Sequence, residues 1–180
     1  SSEFIKQAEL QIRRVEIAYS GRTDALKNMP VVVWDTNIKQ NEYKESVSKI
    51  LHEVKKHLAE ITEVLNPIVE KHNQGNILEA NLSASKMKNI DGLFRESIGA
   101  LTIIKQKEAV EIMSVIRAIT NEMSKKEHAI SDSEISSIML GLTSLNIFID
   151  TYINDEKYAL NSLAKAYQQL LGKEMVVPES

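Results

Sequence analysis

Four histidines, at positions 52, 57, 72 and 128, are the first residues to test for chemistry. Metal ligands on a helix stand three or four residues apart, so that both reach one ion from one face. His52 and His57 are five apart and point away from each other. No histidine follows a glutamate by three residues, so the Glu-x-x-His motif of di-iron bundles is missing. Glu53 and His57, four apart, could share a ligand, although such a spacing more commonly gives a solvated surface interaction. No metal site is expected. His72 reads as a partly wet helix-end residue beside the last carbonyls, with a buried, pH-sensing histidine as the lesser alternative.

Nucleophilic catalysis has as little support. There is no cysteine and no Gly-x-Ser-x-Gly elbow. Neither a Walker pattern nor Gly-x-Gly-x-x-Gly occurs to hold a phosphate. Neighbouring carboxylates such as Glu108 and Glu111 are usual on the charged outer face of a helix. The sequence therefore points to a protein that is not an enzyme and takes no cofactor. One constellation stands out. Lys105, Glu108 and Glu156 interrupt otherwise apolar seams, and a hairpin turning near residue 129 would bring Lys105 and Glu156 to one level. They are candidates for a polar core layer or ligand site, which a bundle tolerates when it sets register or binds something. The competing reading places them on a wet face, since unpaired charges are seldom buried.

The elements that would position these residues are helices. Ile5, Ala8, Ile12, Val15 and Tyr19 line one face of a first helix, taken as 2–27. Met29 to Trp34 reads as an extended connector, with Pro30 opposing helix just before it. A second helix over 36–73, capped by Asp35 or Thr36, carries Val47, Leu51, Val54, Leu58, Ile61, Leu65 and Ile68 in an unbroken heptad rhythm. Pro67 threatens a kink, and Gly75 suits a left-handed C-cap. A third helix spans 77–127, with a break or bend expected near 90, where Asn89-Ile90-Asp91-Gly92 falls. A fourth spans 132–172, opened by a Ser131/Glu134 capping box and closed by Gly172.

The expected fold class is all-α: a single domain over 1–180, an elongated antiparallel helical bundle of three long helices plus a shorter N-terminal helix. Composition agrees. The 180 residues are 43% hydrophobic and 26% charged, with only 6 Gly and 3 Pro to make turns. The net charge is −3, and residues 1–90 carry 13 basic and 12 acidic side chains against 9 and 13 in residues 91–180. Neither half has the positive excess of a nucleic-acid-binding surface. No apolar run approaches a membrane span, and no signal-peptide pattern opens the chain. Membrane contact is therefore disfavoured, and the compartment is left open. On fold analogy, the expected role is a protein-interaction or assembly module that binds a protein partner, or a second copy, through helix faces. The alternatives are an extracytoplasmic ligand-sensing bundle and the soluble form of a helical membrane-acting toxin component.

Overall fold

A computed structural model describes residues 3–10, 12, 33–76, 82–125 and 130–176. The described part is 87% helical and contains no strand, so the all-α class holds. A short helix α1 covers 3–10. It is followed by α2 (Val33–Asn73), α3 (Ala84–Ile103), α4 (Lys107–Met123), α5 (Asp132–Asn154) and α6 (Glu156–Ala159). A 3₁₀ turn over Leu160–Leu163 then leads into α7 (Ala164–Leu171). The chain divides into two compact units, Ser1–Glu53 and Val54–Ser180, with the boundary inside α2.

In the first unit Ala8 and Ile12 are buried, as their helical spacing implies. Most of the expected helix 2–27 lies outside the described residues. So do Met29 to Val32 of the expected connector, but Val33 and Trp34 belong to α2. The reason is that Pro30 restricts the residue before it and leaves those after it free to start a helix. Ser46, Val47, Ile50 and Leu51 form the buried side of this part of α2.

The second unit begins with Val54, Leu58, Ile61, Leu65 and Ile68, all buried. Pro67 faces solvent and does not interrupt the helix. On that side water can take up the carbonyl that proline leaves without its usual donor. After Asn73 the backbone closes in a Schellman motif. Asn76 N–H donates to Lys71 C=O at 2.9 Å and Gly75 N–H to His72 C=O at 3.0 Å, with Gly75 at φ +81°.

The third segment departs from expectation. Ile77 lies outside the described residues, and the helix opens at Ala84 behind the N-cap Ser83. It then runs unbroken through Asn89–Gly92. Ile90 is fully buried there, and Asp91 is held by Arg117 through two hydrogen bonds of 2.6 and 3.1 Å. Those contacts outweigh the roughly 1 kcal/mol that Gly92 costs. The break comes instead at 104–106, where a second Schellman motif ends α3 with Lys105 in the left-handed region at φ +60°. It is a full reversal. Asp91 and Arg117 would stand about 39 Å apart on one straight helix, yet they are hydrogen-bonded.

The fourth segment reverses too. The Ser131/Glu134 capping box forms as the sequence indicates. The helix stops at Asn154, Asp155 is extended, and its side chain caps α6. The Leu170 side chain then lies beside Gly141, so α7 runs back along α5. Two of the three expected long helices are thus helical hairpins, α3–α4 and α5–α7. Residue pairs fix the directions of the rest. Lys55–Asp150 and His72–Asp132 join α2 to α5 with the residue numbers running oppositely, so these helices are antiparallel. Ile116 of α4 also lies against Gly141 of α5.

Candidate functional site

Lys105, Glu108 and Glu156 do not form a layer within the core. Lys105 is exposed at the left-handed residue of the α3–α4 turn, and Glu156 is exposed at the first residue of α6. Among the described residues no ion pair joins them. Glu156 instead accepts a hydrogen bond from Tyr152 Oη at 3.1 Å. The apolar seams break at these positions because the chain turns there, and a turn surfaces its polar side chains. Glu108, half-buried on α4, lies close enough to Tyr167 of α7 for its charge to raise that phenol's pKa.

Tyr167 marks the polar link that sequence reasoning missed on this side. It is buried, and its hydroxyl donates to the Glu111 carboxylate. That hydrogen bond, then burial and the charges of Glu111 and Glu108, push the phenol up to about 12. Lys107 lies 3.8 Å from Glu111, and Lys173 sits 5.9 Å from the Tyr167 ring centroid. The result is a wet-edged clamp of α7 onto α4. Between α3 and α4, the two hydrogen bonds from Arg117 hold the Asp91 carboxyl below its ordinary range.

The histidines also differ from expectation. His57 is only 4% exposed and so belongs to no solvated surface pair. Its Nδ1 is 3.3 Å from Ser97 Oγ and its Nε2 is 3.5 Å from a Glu96 carboxylate oxygen. Serine, histidine and glutamate are the residues of a nucleophilic triad, but Ser97 has no exposed surface from which its hydroxyl could meet a substrate. The trio satisfies a buried imidazole and ties α2 to α3. Sequence reasoning missed Ser97, and its place three positions after Phe94 on the buried stripe of α3 is the signal that marks it. The His72 side chain is 7% exposed and so less wet than expected, with its Nε2 2.6 Å from Asp132 at the start of α5. Among the described residues no group of three or more His, Asp or Glu is placed to hold a metal ion.

What remains is an uncharged stretch of α5 whose exposed large apolar side chain is Ile147. Residues 135–149 contain no charged side chain. Ile135, Ile138, Leu142, Leu145, Phe148 and Ile149 are buried, and α4, α6 and α7 all pack on the helix. The outer stripe of Ser136, Leu140, Thr143 and Ile147 follows the same 4-3-4 spacing, and Ile147 is 50% exposed. The helix is long and apolar enough to cross a membrane by length and composition, with a mean hydropathy of 1.2 over a window that is 44% buried. Ser133, Ser136 and Thr143 are exposed on the outer side beside Ile147, so that side is uncharged but mixed, while most of the apolar residues face inward.

The chain matches no family model, and no curated protein or solved structure is detectably similar to it.

Proposed function

We propose that the chain is a non-enzymatic helical interaction module that receives a protein partner on the outer face of α5. The observation behind this reading is the uncharged stretch 135–149, whose outer stripe lies open to solvent around Ile147. Depletion of charge around an exposed large apolar side chain is the compositional mark of an interface centre. The stripe suits an amphipathic helix, laid along it with anchors three and four residues apart. The heptad seam of α2 is a poorer candidate, because its residues are already buried within the chain.

The test is Ile147→Asp. The wild-type chain should associate, either with itself in sizing experiments or with a partner in pull-downs, and the variant should keep its helix content and thermal midpoint but lose that association. A wild-type chain that associates with nothing overturns the reading. Association unchanged in Ile147→Asp overturns the proposed face. A second reading, membrane action, draws on the length and apolarity of α5. Against it stand the packing of α4, α6 and α7 on that helix and the acidic residues Asp132, Glu134 and Asp150 near its ends. Binding of the folded chain to vesicles of neutral and anionic phospholipid would favour it.

A further inference from the structure

We draw no further inference here: the strongest candidate, the buried Nδ1 of His72 where the C-terminal end of α2 meets the N-terminus of α5, carries nothing because the other ring nitrogen is already held by Asp132 and nothing in the structure points to a ligand beside it.

Discussion

Tyr167 shows how much a single contact can alter a group that the sequence presents as ordinary. Its neutral phenol donates to Glu111, so ionisation would set two negative charges together in a partly dry site. The folded pKa of about 12 lies above the value of 10 for a free phenol. The stability it contributes is therefore complete below pH 10 and is lost as pH rises through about 12. In an absorbance titration, one of the five tyrosines should ionise late. Tyr167→Phe should remove that step, and Glu111→Gln should move it back toward the ordinary range. Simultaneous ionisation of all five near the ordinary value would refute the contact. Gly141 is the second decisive residue. A Cβ there would lie 2.4 Å from Ile116 Cδ1, 3.0 Å from Ile116 Cγ1 and 3.2 Å from Leu170 Cδ1. Ile116 is fully buried and has little room to yield. Gly141→Ala should thus cost about 1–3 kcal/mol in denaturant unfolding despite its better helix propensity. A gain in stability would mean that the α4–α5–α7 contact is looser than described. Neither feature was legible in advance: a tyrosine, a glutamate and a glycine on three helices carry no spacing signal until the hairpins bring them together.

At the scale of elements, the apolar stripes were legible and the turns between them only partly so. The heptad rhythm of α2 marked its buried side residue by residue, and Leu58→Ala or Ile61→Ala should cost about 2–5 kcal/mol. A loss below about 0.5 kcal/mol at both, the size expected of surface changes, would show that the stripe is not core. Turns carrying a familiar signal were also legible, such as Gly75 after α2 and the Ser131/Glu134 box before α5. The α3–α4 reversal escaped because its left-handed position holds Lys105 where glycine is usual, while Gly92 sits harmlessly within a helix fixed by Ile90 and the Asp91–Arg117 pair. Tertiary contacts override local propensity in both cases. The polar interruptions of the stripe mark chain reversals, and the exposure of Lys105 and Glu156 agrees with the wet-face reading rather than with a core layer. Two outcomes follow from the corrected geometry. Lys105→Gly should stabilise the protein by about 0.5–1 kcal/mol, since glycine enters the left-handed region without the steric cost borne by lysine. A double-mutant cycle on Lys105 and Glu156 should give a coupling energy near zero. A coupling of about 1 kcal/mol or more would restore the pair as an interacting layer.

For the molecule as a whole, the functional reading turns on whether α5 is apolar only because it packs the core or also because something covers its outer side. Two residues on opposite faces of this helix separate the cases. Leu145 is 1% exposed and Ile147 is 50% exposed. Leu145→Ala should lower stability by about 2–5 kcal/mol, because it opens a cavity where α5 meets its neighbours. Ile147→Asp should change stability by no more than about 0.5 kcal/mol, as exposed substitutions do, while placing a charge at the most exposed apolar residue of the proposed interface. A desolvated, unpaired carboxylate there opposes docking strongly. Loss of association with stability retained is therefore the result that assigns α5 a role beyond folding. Should Ile147→Asp unfold the chain instead, the outer stripe would be part of the core. In that case the apolarity of α5 would be explained by packing alone, and the interaction face would have to be sought on another helix.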